Sequence, residues 1–151
     1  MEMTSALTCV GQWSGKSTLY LPAKPPDVSE SKLTVTPLLG GRFVRFDYTW
    51  TYHKDGAEKP QQASLLLGAE QACWVDTWHM SERMLICTVA GGADGAWWCL
   101  GSFAAPPGPD WGWRIECTPH GSGGLRIVMY CIEPGQERGD LAVEAEYSRL
   151  S

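Results

Sequence analysis

The segment Asp76-Thr-Trp-His79 holds the residue types of this chain most able to do chemistry. An aspartate that orients an imidazole makes an acid/base pair, and the same two side chains also ligate metals. Strand geometry limits both uses. Successive side chains of a regular strand take opposite faces, so Asp76 and His79 are not expected in one pocket unless a bulge intervenes. Asp76 shares its face with Trp74 and Trp78. With that face inward, Asp76 is a polar anchor inside an aromatic cavity; with it outward, Asp76 is solvated and His79 looks in. The larger apolar pair favours the first arrangement, and a carboxylate between two indoles then needs hydrogen bonds of its own.

Other chemistry is sparsely represented. There is no G-x-S-x-G, and Ser81, Ser102 and Ser122 lie in no activating context. Gly121-Ser-Gly-Gly124 reads as a hairpin turn, with no helix behind it to make a phosphate cradle. His53, His79 and His120 are too dispersed to form a metal motif. Cys9, Cys73, Cys87, Cys99, Cys117 and Cys131 include no C-x-x-C, and no charged n-region followed by an apolar stretch opens the chain. The cysteines therefore read as small, reduced core residues. No catalytic residue, metal ligand or cofactor is assigned from these patterns.

A formal net charge of −5, with only 12 Lys and Arg, leaves no basic footprint for a phosphate backbone. No apolar run approaches the ~20 residues of a membrane helix. The expectation is a soluble, cytoplasmic protein with no nucleic-acid or membrane partner. Its 151 residues fit one domain, 1–151, with ample material for a core.

The elements that must position these side chains are strands. From Val44 the chain alternates without a slip: Val44, Phe46, Tyr48, Trp50 and Tyr52 face one way, Arg45, Asp47, Thr49 and Thr51 the other. Similar runs place strands near Thr8–Trp13, Ser17–Leu21, Lys32–Pro37, Arg42–Tyr52, Gln62–Ala69 and Cys73–His79. Further strands are placed near Arg83–Val89, Ala96–Phe103, Gly112–Thr118, Leu125–Glu133 and Leu141–Arg149. Breakers such as Lys54-Asp55-Gly56 and Pro134-Gly135 separate them. So long a meander of short strands must curl closed or leave exposed edges, and closure into an all-β antiparallel barrel is the economical solution. Pro22 to Ser31 reads as a surface loop with a short helical turn from Asp27. The proline-stiffened loop 104–112 carries Trp111, either as a lid at the barrel rim or as packing on the barrel end.

Gly11-Gln-Trp13 resembles the G-x-W signature that opens lipocalin-like barrels, which implies that Trp13 closes one barrel end beneath Arg149. Five further segments are more specific. Thr34-Val-Thr-Pro-Leu-Leu-Gly-Gly-Arg-Phe43, Ser64-Leu-Leu-Leu-Gly68, Trp74-Val-Asp-Thr-Trp-His-Met80, Ala105-Pro-Pro-Gly-Pro-Asp-Trp-Gly-Trp-Arg114 and Leu141-Ala-Val-Glu-Ala-Glu-Tyr147 resemble the bacterial family catalogued as domain of unknown function 1579. That resemblance implies a lipocalin-like (calycin-type) barrel and supplies no activity. The related haem-binding nitrobindins ligate iron through a His near the C-terminus, whereas Leu141–Ser151 contains none.

Charges at Arg45, Asp47, Arg114, Glu116, Arg126, Glu144 and Glu146 lie opposite the larger apolar faces and are expected as cross-strand ion pairs outside the barrel. An inside-out barrel with a charged lumen is the alternative. Leu65–Leu67, Met84–Cys87 and Trp97–Leu100 are apolar on both faces, so their outer side needs a cover. A homodimer through this wall is expected, with coverage by the Pro22–Ser31 loop as the competing explanation.

These observations describe an intracellular barrel that binds an apolar or aromatic small molecule. The expected lining is Phe46, Tyr48, Trp50, Trp74, Asp76 and Trp78, with His79 and Trp111 at the site's edge. Two alternatives stand beside it: an enzyme using Asp76 or His79 as acid or base, and an interaction protein whose barrel is filled by its own side chains.

Overall fold

Alternation between core and solvent carries through to a computed structural model that describes residues 1–151. A short helix, α1 (Thr4–Leu7), precedes ten strands: β1 (Gly11–Leu19), β2 (Asp27–Leu38), β3 (Phe43–Lys54), β4 (Ala57–Leu67), β5 (Gln71–Asp76), β6 (Leu85–Gly91), β7 (Trp97–Phe103), β8 (Trp111–His120), β9 (Gly124–Ile132) and β10 (Asp140–Arg149). Each strand pairs antiparallel with the next, and β1 pairs with β10 to close the barrel. Side chains from every strand meet in one cluster of 26 buried residues, among them Phe46, Leu65, Trp74, Trp97 and Ile115. Four cysteines, Cys9, Cys87, Cys99 and Cys117, are buried, while Cys73 and Cys131 are only half-buried. No helix is long and apolar enough to cross a membrane.

Two expectations about elements are corrected. The first two expected strands are one, because Gly15 continues the ladder rather than turning the chain. A Cβ at Gly15 would sit 1.8 Å from the Glu146 carbonyl oxygen, so a side chain there would hold β1 off β10. The expected loop and helical turn at Pro22–Ser31 shrink to the connection 20–26, and β2 begins at Asp27. All three prolines fall within the connection. Ser29, Ser31, Leu33 and Val35 alternate into the barrel, and the small hydroxyls made this inward face look polar.

The barrel has one sealed end. Ala6 and Cys9 enter it from α1 and its exit, and the Trp13 Nε1–H donates to the Cys9 carbonyl at 2.8 Å. The Arg149 guanidinium lies 4.2 Å from the Trp13 ring centroid and donates to the Thr8 and Val10 carbonyls at 2.6 Å each. It thereby fastens the N-terminal segment over the indole. Charges lie outside the barrel, as Arg45–Asp47 (2.7 Å), Arg114–Glu116 (2.6 Å) and Arg126–Glu144 (3.1 Å). The first two pairs sit two residues apart on one strand rather than across strands, and such exposed pairs contribute about 0–1 kcal/mol each.

Around Leu66 the outer wall over β4 to β7 is apolar instead. Leu66, Cys73 and Ile86 are register partners in one row across β4, β5 and β6. Leu66, Val75, Met84, Ile86 and Leu100 are exposed, whereas Leu85 beside Ile86 is buried in the core. The 20–26 connection lies between β1 and β2 and is remote from this wall in strand order, so it does not supply the cover.

Candidate functional site

The barrel end opposite α1 is built by the last residues of the odd-numbered strands β1, β3, β5 and β9 and the first residues of β8 and β10. There Ser17, Leu19, Tyr48, Trp50, Trp74, Asp76, Trp78, His79, Trp113, Met129 and Val143 surround a cavity of about 20 Å³. That is room for roughly one water molecule. A second apolar void of about 10 Å³ lies deeper, against Phe46, Leu65, Trp97 and Ile115. The lumen is thus filled mostly by the chain's own side chains.

Aromatic rings stopper the mouth. Trp50, Tyr52 and Trp78 make mutual edge contacts with centroids 5.6–6.4 Å apart, and His79 packs between Trp78 (5.4 Å) and Trp113 (5.0 Å). Edge-to-face packing of this kind contributes about 0.5–1.5 kcal/mol per pair beyond its buried area.

The expectation that Asp76 and His79 cannot share a pocket is overturned. Their side chains are hydrogen-bonded, His79 Nδ1 to Asp76 Oδ2 at 2.6 Å, and both line the cavity. The physical reason is that β5 stops at Asp76. Asp76 Oδ1 accepts from the Trp78, His79 and Met80 amides at 3.2, 3.0 and 2.8 Å, which curls the chain into a turn where strand parity no longer applies. Burial of this carboxyl, whose side chain is 6% exposed, pushes its pKa up. The His79 side-chain bond, the Met80 and His79 amides and the nearby imidazole charge more than offset burial and hold the group below the usual carboxylate range. With Asp76 ionised, Nδ1 is the protonated imidazole nitrogen, and Nε2 is left for a partner. Asp76 Oδ1 is thus taken up in holding the turn, while Oδ2 holds His79. His79 is the polar group presented at the mouth.

The other expected residues fall at different depths. Tyr48, Trp50, Trp74 and Trp78 line the cavity. Phe46 lies below it, 5.4 Å from Trp97, in the floor. Trp111 is not in the lining; it begins β8 at the rim opposite Phe103, and Trp113, two residues on, takes the place expected of it. Tyr52, Trp113, Ser17 and Met129 were missed as site residues. Trp113 was legible as an inward residue, since it alternates with Ile115 and Cys117, but its depth in the barrel was not.

Several buried donors of the barrel interior lack good acceptors. The Nε1–H groups of Trp74, Trp97 and Trp113 are buried with no hydrogen-bond partner. A buried, unpaired donor costs about 1–3 kcal/mol. The Tyr48 hydroxyl has only the Met129 sulfur at 3.9 Å, and burial pushes its pKa well above the usual phenol range, so it stays a neutral donor. No group of three or more His, Cys, Asp or Glu is arranged to hold a metal ion.

A scan of protein families finds no match, and a search of curated proteins finds none either. Solved structures do match. Rv2717c from M. tuberculosis is 14% identical, with a TM-score of 0.60 over 100% of this chain and 99% of its own. The S-type phycobiliprotein lyase CPES from Guillardia theta is 9% identical, with a TM-score of 0.57 over 95% of this chain and 89% of its own. The fold is a lipocalin-like barrel. At these identities the likeness carries the architecture alone.

Proposed function

We propose that the chain is an intracellular binding module for an apolar or aromatic small molecule, held at the barrel mouth between Trp50, Trp74, Trp78 and Trp113. The observation that carries this reading is the convergence of aromatic walls and a held imidazole on one cavity at one barrel end. Because the resting cavity is small, binding requires the Trp50–Tyr52–Trp78 stopper to swing outward. Trp78 sits on the 77–84 connection, outside the ladder, where such a movement breaks few backbone bonds. Membership of the bacterial family of domain of unknown function 1579 belongs to the same proposal and rests on the segments quoted above. A lipocalin-like neighbour whose name designates a phycobiliprotein lyase is compatible with a barrel that handles small molecules.

The test is a titration with the neutral dye Nile red and with palmitate, followed by Trp emission. Saturable change is expected, and Trp50→Ala, which removes apolar wall, should weaken all ligands together. If emission stays flat across the panel and native mass spectrometry finds no retained small molecule, the binding reading is wrong.

Two other readings have an observation each. The Asp76–His79 bond is the geometry of a general base with Nε2 free, which favours an enzyme if a reactive substrate is found. The exposed apolar row over β4 to β7 favours an interaction protein that pairs with a second copy of itself. Sedimentation equilibrium decides that point.

A further inference from the structure

The barrel ladder breaks at its mouth. β2 and β3 pair only as far as Lys32 and Thr49, yet each strand runs on, Asp27–Ser31 held by β1 and Trp50–Lys54 held by β4. On the other side, β4 meets β5 from Ala63 onward. The tip of the β3–β4 hairpin beyond Thr49 and Gln62, residues 50–61, therefore stands outside the ladder along both edges. Side chains hold it instead. On the β2 edge the Thr51 amide donates to Ser29 Oγ at 3.0 Å and the His53 amide to Asp27 Oδ2 at 2.9 Å, while His53 Nδ1 lies 2.5 Å from Asp27 Oδ1. On the β5 edge the Thr77 hydroxyl accepts from the Gln62 amide at 2.9 Å and donates to Gln61 Oε1 at 2.8 Å. Between β2 and the hairpin tip a cleft of about 330 Å³ opens to solvent beside Val28, Ser29, Thr51 and His53. Ser29 borders this cleft, and its register partner Ser17 lines the closed cavity. Two small side chains on neighbouring strands thus face the two spaces.

We propose that the hairpin tip 50–61 is a flap over the cavity, hinged at Thr49 and Gln62 and latched to β2 by Asp27 and Ser29. It carries Trp50 and Tyr52, two of the three rings that stopper the mouth. Lifting it draws both rings off Trp78 and joins the cavity to the cleft. This rests on the ligand-binding reading of the same cavity and names the element that must move for it. The movement keeps the hairpin whole, since residues 50–54 stay paired with 57–61 and the links given up are those of side chains to its edges. A cavity of about 20 Å³ does not take an aromatic ligand with the rings in place, so the bound state is the one with the flap lifted. The latch then works against binding, because apparent affinity is the intrinsic affinity reduced by the fraction of molecules whose flap is open.

The experiment compares the unaltered protein with Asp27→Ala and Ser29→Ala, each of which removes one latch at the rim. Hydrogen exchange is read by mass spectrometry without ligand, and Nile red affinity is read by titration. Exchange over residues 50–61 should quicken about three- to fivefold in each variant, while Phe43–Tyr48 keeps its protection. Nile red should bind each variant about three- to fivefold more tightly, the size of one exposed ion pair or neutral hydrogen bond taken from the closed state. A substitution that merely loosened the barrel would not tighten binding. Circular dichroism checks that each variant folds, and should one not fold, the other decides. Equal or weaker binding by a folded variant, unchanged exchange over 50–61, or quickening that runs evenly through Phe43–Tyr48 would overturn the flap while leaving the cavity a binding site. If neither Nile red nor palmitate binds the unaltered protein or a variant, the binding reading and the flap fall together.

Discussion

Replacing Asp76 by Asn isolates the charge that shapes the mouth. The carboxylate accepts three backbone amides through Oδ1 at 2.8–3.2 Å and the His79 ring through Oδ2 at 2.6 Å, and its side chain is 6% exposed. Bonds to a charged acceptor contribute about 1.5–3 kcal/mol and neutral ones about 0.5–1.5 kcal/mol. Asn preserves an oxygen for the three amides but loses the charge and sets an amide against His79 Nδ1. The expected loss is about 2–3 kcal/mol at pH 7, smaller than the sum of four charge-assisted bonds because the amides keep a neutral acceptor. The folded-state pKa of Asp76 is lowered below its unfolded value, ~3.9. Its stabilisation is then complete above the unfolded pKa and disappears as pH falls through the folded one. Urea unfolding followed by Trp emission, from pH 7 down to pH 2.5, should show a lower midpoint for Asp76→Asn with an unchanged slope. The gap should close in acid, where protonated Asp76 resembles Asn. Midpoints equal within about 0.5 kcal/mol at pH 7, or a gap undiminished in acid, would refute the assignment of Asp76 as the anchor of the turn.

Neighbouring residues on β6 give a second test. Leu85→Glu should abolish folding, since a carboxylate in the core without a partner costs more than about 4 kcal/mol, whereas Ile86→Glu, at a site 57% exposed, should leave the circular dichroism spectrum intact. Sedimentation should show Ile86→Glu splitting a dimer of the unaltered chain; a monomer for the unaltered chain ends the dimer proposal. Gly15→Ala should loosen the closure of β1 on β10, at a cost of at least about 2 kcal/mol, because its Cβ would fall 1.8 Å from the Glu146 carbonyl oxygen. Hydrogen exchange should then quicken along Gly15–Leu19; unchanged protection there would show that the two strands can part without loss.

The barrel was legible wherever one face is large and apolar. Val44, Phe46 and Tyr48 on β3 alternate with polar residues, and the structure buries all three. Where the inward face is made of small polar residues the same reading fails, because Ser29 and Ser31 offer no contrast with Glu30 and Lys32, and only the apolar half of β2 stands out as a strand. Gly15 failed for a related reason: a missing side chain can mark a turn or a close approach of two backbones, and only the partner strand decides which. The site was less legible than the barrel. Parity assigns a face to each residue of a strand, yet Asp76 ends its strand by offering its own oxygens to the next amides, and beyond it His79 no longer obeys parity. The choice of Trp113 over Trp111 depends on the stagger of neighbouring strands, a property of the closed barrel rather than of β8.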